Sequence, residues 1–245
     1  MSVSSPGSEP PSPRTGSHSR GEDTRLRILR AALEVFAQEG YAGASTRRLA
    51  QRAAVNLPAI QYYFGSKKGL YAAVIDQIAE KMERRMAPVM AEICAALASP
   101  SASGAASPER ILELLLRMLD AFVALIMDRE SPDWECRALF FARAEIESAE
   151  ALEPLYQRVM RRIVEPCAAL IGRLLDRPAD DTETLLRTVA ILGQVTIFCN
   201  RKTQRALGWQ ATADGADMQA VQAVVRNHTR AIFVAAANGR EGASR

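Results

Sequence analysis

The 24 residues from Ser45 to Lys68 constrain this chain most, because they hold two short helical patterns and the start of a third. An apolar stripe at helical spacing ends at Ala53, and a second pattern runs from residue 57 to residue 63. Two short helices separated by a tight turn are typical of a helix-turn-helix motif. Ser45 and Asn56 stand where the two helices would begin, so each side chain can accept a hydrogen bond from an unpaired backbone N–H group.

Positively charged residues lie at two of the predicted helix starts. Arg47 and Arg48 follow Ser45, and Lys67 and Lys68 follow Ser66, which we predict to be a third N-cap. Cations are unfavourable there, because a helix N-terminus already carries about half a positive charge. Their presence is explained if each start receives an anion such as a DNA phosphate. The alternative is two basic patches that face only water.

Gln61, Tyr62 and Tyr63 lie between these two helix starts. A glutamine can pair with adenine through two hydrogen bonds, and a tyrosine can contact a thymine methyl group or a phosphate. Packing inside the protein is the alternative role for Tyr63 and the one we predict for Phe64, whereas we expect Tyr62 to be exposed. Pro58 costs no helical hydrogen bond near a helix start.

The segment from Thr24 to about Met86 resembles the DNA-binding domain of the TetR family of bacterial transcriptional regulators. The resemblance is carried by Thr46, Leu49-Ala50, Ala53-Ala54-Val55-Asn56 and Tyr62-Tyr63-Phe64-Gly65-Ser66-Lys67. It implies that Thr46 binds phosphate, that residues 56–63 enter the major groove and that Lys67 holds the DNA backbone. The predicted DNA-binding residues are Ser45, Thr46, Arg47, Arg48, Asn56, Pro58, Ala59, Gln61, Tyr62, Tyr63, Lys67 and Lys68.

Three departures from the family pattern lie within this motif. Ala54 replaces the usual Gly, and would carry about 1 kcal/mol of strain if the turn needs a positive φ. Leu57-Pro58 replaces a frequent Lys-Gly, and Gln61 replaces a common Tyr. We therefore expect this protein to have an operator sequence of its own.

The length of 245 residues and the 48% apolar composition allow two parts, which we place at residues 20–66 and 67–240. The first, here called the N-terminal head, is a predicted three-helix helix-turn-helix DNA-binding domain. The second, the C-terminal region, is a larger helical domain for effector binding and dimerisation. Residues 20–85 hold 12 Lys and Arg against 7 Asp and Glu, although the net charge of the chain is only +3. Residues 1–19 contain seven Ser and four Pro, which predicts a disordered arm.

Helical periodicity continues through the rest of the chain, so we expect an all-α fold. Apolar patterns predict a helix from Thr24 to Gln38, ended by Gly40, and a long helix from Ser66 to Pro88. Residues 111–127 are apolar nearly all round except for Glu113, Arg117 and Asp120, so this helix should be central. A solvated stripe is the simpler account of those three charges, and pocket lining is the alternative.

An effector pocket is predicted where residues 111–127 meet residues 134–143. Apolar walls with one polar anchor are typical of small-molecule sites, and the candidates are Met118, Phe122, Phe140 and Arg143. A helix beginning at Pro154 should be kinked near Glu165 by Pro166, and such a kink can open a cavity.

The last two predicted helices, residues 182–205 and 216–238, carry apolar stripes that would form a four-helix dimer core. We predict that His228 is buried or at the interface with a satisfied ring, with contact to a ligand as the alternative. The predicted interface residues are Val189, Gly193, Ile197, Val221, Val224, Val225, His228 and Ile232.

Residues 140–209 are similar to the regulatory domain of CecR-like members of the TetR family. The similarity rests on residues 140–145, Pro154, residues 164–167, residues 191–194 with Phe198, and residues 207–209. It implies a small-effector cavity and a dimer formed through the last two helices.

These patterns together predict a dimeric, cytoplasmic repressor that binds a palindromic double-stranded DNA operator and is released by an unknown small molecule. We expect no membrane span, no metal and no cofactor. The alternatives are a DNA-binding dimer without an effector, and an all-helical enzyme, for which the sequence offers no recognisable catalytic motif. Four widely spaced cysteines are predicted to be small core residues, with a thiol sensor as the alternative.

Overall fold

A computed structural model describes residues 16–98, 106–128, 131–144, 146–147, 153–199, 206, 208–209 and 216–243. Side chains are described from residue 20 to residue 233 within these ranges, except that of Cys199. All regular structure in these ranges is helical, which confirms the expected fold class. The α-helices are α1 (Gly16–Gly43), α2 (Thr46–Arg52), α3 (Leu57–Phe64), α4 (Lys67–Ala98), α5 (Pro108–Ile126), α6 (Trp134–Ala144), α7 (Arg161–Leu175), α8 (Thr182–Thr196) and α9 (Ala216–Ala243).

Helix α1 supplies much of the core of the head. Its buried side chains include Leu29 and Phe36, each 1% exposed. The helix is interrupted at Gly40, whose φ of 76° is in the left-handed region, where we expected the helix to end. It begins at Gly16, so the last residues of the predicted disordered arm are helical. Residues 1–15 of that arm lie outside the described residues.

Helix α4 connects the head to the rest of the chain, as the sequence indicated, but it does not stop at Pro88. It continues ten residues further, to Ala98. Pro88 is exposed, whereas Met86, Val89 and Ile93 around it are buried. Packing of these neighbours outweighs the single backbone hydrogen bond that the proline removes.

Helix α5 is central, as predicted, and packs against α4, α7, α8 and α9. Its charged residues do not form the expected solvated stripe. Arg226 on α9 donates to Glu113 at 2.8 Å and also to Asp120, while Arg117 donates to Glu92 on α4. The charges therefore join α5 to its neighbours.

The irregular part of the chain before α7 also differs from expectation. We expected Pro166 to kink the helix near Glu165, but α7 remains α-helical through Pro166. A π-helical turn lies upstream of it, at Tyr156–Met160. The backbone irregularity is thus in this turn, where the N–H of Arg161 bonds to the carbonyl of Tyr156 five residues back.

The cysteines do not share one environment. Cys167 is buried, and burial raises the pKa of its thiol to about 12. Cys94 is exposed, so the prediction of a core residue is wrong for it. No helix within the described ranges is long and apolar enough to cross a membrane. The same residues contain no group of three or more His, Cys, Asp or Glu suited to holding a metal ion.

Candidate DNA-binding surface and regulatory region

Side-chain oxygens cap the three helix starts of the helix-turn-helix segment, as the sequence indicated. Ser45 Oγ accepts from the Arg48 N–H at 3.1 Å, and Asn56 Oδ1 accepts from the Ala59 N–H at 3.1 Å. Ser66 Oγ accepts from the Gly69 N–H at 3.0 Å. Each cap satisfies one of the N–H groups that a helix start leaves unpaired, and so fixes where α2, α3 and α4 begin.

The turn between α2 and α3 requires a left-handed residue. Ala54 has a φ of 50°, which a residue with a Cβ adopts at a cost of about 1 kcal/mol. The departure from the usual Gly therefore leaves the turn geometry in place but strained.

The cations at the helix starts are held in different ways. Arg47 is exposed, whereas Arg48 Nε lies 3.0 Å from Glu39 Oε1. Lys67 Nζ donates to the Tyr41 carbonyl at 2.9 Å and lies 4.6 Å from the centre of its ring. Lys68 is exposed. Arg48 and Lys67 thus already have partners within the chain.

The outward face of α3 presents the residues that we predicted to meet DNA. Ile60 is 2% exposed and fixes the inner face, while Gln61 is exposed and Tyr62 is 83% exposed. Pro58 is exposed, and Ala59 is partly buried. Thr46, Gln61 and Tyr62 help to line a concave surface that encloses a volume of about 680 Å³.

Tyr63 and Phe64 turn towards the core, as expected for Phe64. The ring of Tyr63 stands edge-on to that of Tyr62, with the ring centres 5.0 Å apart. The partly buried Tyr63 therefore supports the exposed Tyr62 from behind.

An aromatic cluster joins the head to α6. Tyr71 packs against Phe36, Tyr41 and Phe140, with ring centres 4.9–5.3 Å apart. Burial, followed by the nearby charge of Glu147, raises the pKa of Tyr71. Phe140, predicted to line a pocket, belongs to this junction.

Two polar contacts complete the junction between the head and α6. Arg143 Nη2 donates to the Gln38 carbonyl at 2.7 Å, so Arg143 is not the polar anchor of a pocket that we predicted. Glu147 Oε2 accepts from the Tyr41 N–H at 2.9 Å, close to the bare Cα of Gly40. No local pattern predicts these contacts, because the partners lie more than 100 residues apart.

Met118, Phe122 and Phe140 are buried within the main core, at 0%, 8% and 1% exposed. A cavity of about 350 Å³ lies instead between α4 and α7, lined by Met82, Glu83, Met86, Ala87, Met90, Arg162 and Ile163. None of the four predicted pocket residues lines it. The methionines belong to α4, the helix that connects with the head, and nothing in their spacing along the sequence distinguishes a cavity wall from the core.

Within the described part of the chain, helices α8 and α9 expose an apolar surface. Val189 is 67% exposed, Ile197 49% and Val224 44%, and no atom of the described residues lies within 4 Å of where a Cβ of Gly193 would be. The other exposed members are Leu185 and Leu186. We call these residues, with the open position at Gly193, the α8–α9 apolar surface.

Two of the predicted interface residues lie in the core of the single chain. Val221 and Val225 are 4% and 0% exposed within the single chain, so they are intramolecular core residues and the prediction is wrong for them. His228 is exposed and Ile232 partly buried. His228 is thus not buried within its own chain.

Comparison with known proteins agrees with this arrangement. Residues 28–74 match the family described as bacterial regulatory proteins of the tetR family. Residues 111–236, about half of the chain, match the C-terminal domain of the HTH-type transcriptional dual regulator CecR. The chain belongs to the TetR family, with a CecR-type C-terminal domain.

Individual relatives show how far the similarity extends. The dual regulator CecR of Shigella flexneri is 29% identical over 196 residues, which span 78% of this chain and 83% of that protein. The regulator RutR of Escherichia coli K12 is 40% identical over 67 residues, 27% of this chain and 32% of its own length. This TetR-family protein is therefore related to CecR along most of its length and to RutR only over a short segment.

Solved structures share the fold at low sequence identity. A TetR-like regulator from Rhodococcus sp. RHA1 gives a TM-score of 0.56 at 20% identity, covering 84% of this chain and 93% of that one. FadR from Bacillus subtilis, solved in complex with stearoyl-CoA, gives 0.55 at 15% identity, covering 83% and 96%. These structures show the TetR fold, and the family matches show a DNA-binding transcriptional regulator.

Proposed function

We propose that this TetR-family regulator is a homodimeric repressor whose two heads bind a palindromic operator and release it when a small molecule binds the C-terminal region. The observation that carries the proposal is the outward face of α3, where Gln61 and the 83% exposed Tyr62 lie between two cationic helix starts. In this arrangement α3 enters the major groove, and Arg47 and Lys68 contact the phosphates beside it.

The DNA-binding role is tested by a gel-shift series over several salt concentrations, using a pool of randomised palindromic duplexes. Arg47→Ala should weaken binding to every sequence and lower the salt dependence by about one counterion. Arg84→Ala is the matched control, because Arg84 is 72% exposed on α4 and lies about 25 Å along the helix from Lys67. Equal effects of the two substitutions would contradict the proposed contact.

The homodimer is proposed to form through the α8–α9 apolar surface. Large exposed apolar side chains grouped on neighbouring helices are typical of interfaces between subunits. Val189→Glu should convert a dimer to monomers in sedimentation experiments and weaken operator binding. Ile146→Glu is the control, because Ile146 is 79% exposed but lies after α6. A Val189→Glu variant that remains dimeric would place the interface elsewhere.

The effector is proposed to bind in the cavity between α4 and α7. Its volume of about 350 Å³ lies within the range of small-molecule sites, and methionine walls adapt to different ligand shapes. Because α4 also begins at the head, a ligand that separates α4 from α7 would move the heads. Only a ligand that binds the released arrangement more tightly can shift the protein off DNA.

A thermal-shift panel of small molecules tests this site, because a ligand that binds only the folded state raises its melting temperature. A compound that stabilises the native protein should lose its effect when Met90→Trp fills the cavity. A compound that stabilises both proteins equally would place the site elsewhere. If no compound in a broad panel has an effect, a DNA-binding dimer without an effector becomes the better account.

A further inference from the structure

Helix α3, the proposed recognition helix, contains no charged residue, whereas the starts of α2 and α4 on either side of it are positively charged. Its eight residues, Leu57–Phe64, contain no Lys, Arg, Asp or Glu. The commonest base-specific contact in DNA is an Arg or Lys that donates to O6 and N7 of guanine, and acidic side chains accept from N4 of cytosine. Base pairs directly beneath α3 therefore cannot be read by either of these contacts.

The side chains that α3 offers instead form two short rows. Leu57 and Gln61 are one helical turn apart, as are Pro58 and Tyr62, and the burial of Ile60 turns both rows outward. Leu57 is 51% exposed, so its side chain can contact another molecule. All four residues line the 680 Å³ concave surface, so the outward face combines apolar groups with one side-chain amide.

These groups match one kind of base pair. In the major groove thymine presents an apolar methyl group, and adenine presents N7 with its N6 amino group, which a glutamine can bind with two hydrogen bonds. We propose that α3 reads A·T base pairs, with Leu57 and Pro58 contacting thymine methyl groups and Gln61 pairing with adenine. This inference rests on the proposed placement of α3 in the major groove, and it assigns an A·T core to each operator half-site.

The positively charged residues of α2 and α4 do not change the proposed preference of α3 for A·T base pairs. Arg47 lies on α2 and Lys68 on α4, so both lie beside α3 and reach phosphates or base pairs outside the core. Arg48 is held by Glu39. Guanines are accordingly expected only at the margins of each half-site.

The first test is selection of duplexes from a randomised palindromic pool, followed by gel shifts on the selected duplex. We expect A·T pairs at the core positions. Replacing each core thymine in turn by deoxyuridine removes only the methyl group, and should weaken binding about threefold to tenfold at the contacted positions. Selection of a G·C core, or a duplex whose binding is insensitive to loss of every core methyl group, would overturn the inference.

A double-mutant cycle assigns the methyl contact to its side chain. Leu57→Ala should weaken binding to the thymine duplex and abolish the effect of deoxyuridine at one position, because the contact is then already absent. Leu139→Ala, a change at an exposed leucine on α6, should retain the full methyl effect. A Leu57→Ala variant that retains the full methyl effect at every position would refute the role of Leu57.

Gln61→Arg provides an independent test with a gain of function. The new guanidinium can bind guanine, so selection should move from A·T to G·C at one core position while the neighbouring positions keep A·T. Unchanged selection would refute the role of Gln61. If the native protein binds no duplex in the pool, the placement of α3 on DNA is wrong, whereas salt-dependent binding to G·C cores would refute only the base preference.

Discussion

The helix starts of the head and the seam between α5 and α9 both concentrate charged side chains, but the two regions satisfy those charges differently. At the head, Arg47 and Lys68 are exposed. At the seam, Arg226 is 22% exposed and donates to both Glu113 and Asp120. The charges at the seam join two helices of one chain, whereas Arg47 and Lys68 at the helix starts face the surface.

The seam also shows how one arginine stabilises two unlike carboxylates. Hydrogen bonding from Arg226 lowers the pKa of Glu113, whereas burial raises the pKa of Asp120 despite the same arginine. Substitutions at the seam should therefore change folding stability, and substitutions at the head should change DNA affinity.

Arg226→Ala should have the largest effect on folding. It leaves two partly buried carboxylates without their shared donor and should lower the free energy of unfolding by about 2–3 kcal/mol. The melting temperature should fall by about 5–10 °C in calorimetry. Arg230→Ala is the control, because Arg230 is 47% exposed and lies 3.4 Å from Glu113. If both substitutions lower the free energy of unfolding by the same small amount, the ion pairs of Arg226 do not stabilise the contact between α5 and α9.

Asp133→Asn should reduce stability in a manner that depends on pH. Burial opposes ionisation of Asp133, but hydrogen bonds from Ser131 and Arg137 and the charge of Lys81 outweigh it and lower its pKa to about 2. A lowered pKa in the folded state means that the stabilisation is present above about pH 4 and lost as the pH falls towards 2. Because the side chain is 35% exposed, solvent screening reduces the expected loss to about 1 kcal/mol.

Urea unfolding of native protein and Asp133→Asn at several pH values measures this dependence. The two proteins should differ at pH 6 and converge near pH 2. Asp180→Asn is the control for the change of residue type, since Asp180 is an aspartate exposed at the surface. A difference between native protein and Asp133→Asn that is constant over this range would show that the ionised carboxylate is not the stabilising form.

Glu39→Gln should increase the affinity of the head for DNA. It releases Arg48, which is now held at 3.0 Å, and removes a negative charge near the proposed DNA surface. We expect about twofold to fourfold tighter operator binding, because a surface ion pair contributes at most about 1 kcal/mol. The gain measured in gel shifts should be smaller in an Arg48→Ala background. An equal gain in both backgrounds would show that Arg48 makes no contact with DNA.

Ala54→Gly has the smallest expected effect, and on stability alone. With a φ of 50° at this turn, glycine relieves strain and should raise the free energy of unfolding by about 0.5–1 kcal/mol. Gly65→Ala, at a φ of 72° with open space around the Cβ position, is the reciprocal change and should destabilise by a similar amount. Loss of stability in Ala54→Gly would mean that its methyl group makes contacts worth more than the strain.

The helix starts of the head could be predicted because their signals are local. A cap at Ser45, Asn56 or Ser66 depends on a side chain and an N–H group three residues away, so sequence spacing specifies it. The residues of the dimer interface are harder to predict from the sequence, because α8 and α9 each carry apolar groups on more than one face. Periodicity identifies a stripe but cannot tell whether α5 or a second subunit covers it, and for that reason Val221 and Val225 were misassigned.

The sequence by itself determined the all-helical class, the helix-turn-helix segment and the family, since each follows from short-range spacing and residue type. Only the tertiary structure decided which charges are available and which are occupied. Glu113 and Arg226 are more than 100 positions apart, as are Gln38 and Arg143, and packing of whole helices brings each pair together. A charged side chain pairs with a polar group that the fold brings near it, and that partner cannot be identified from the spacing of residues along one helix.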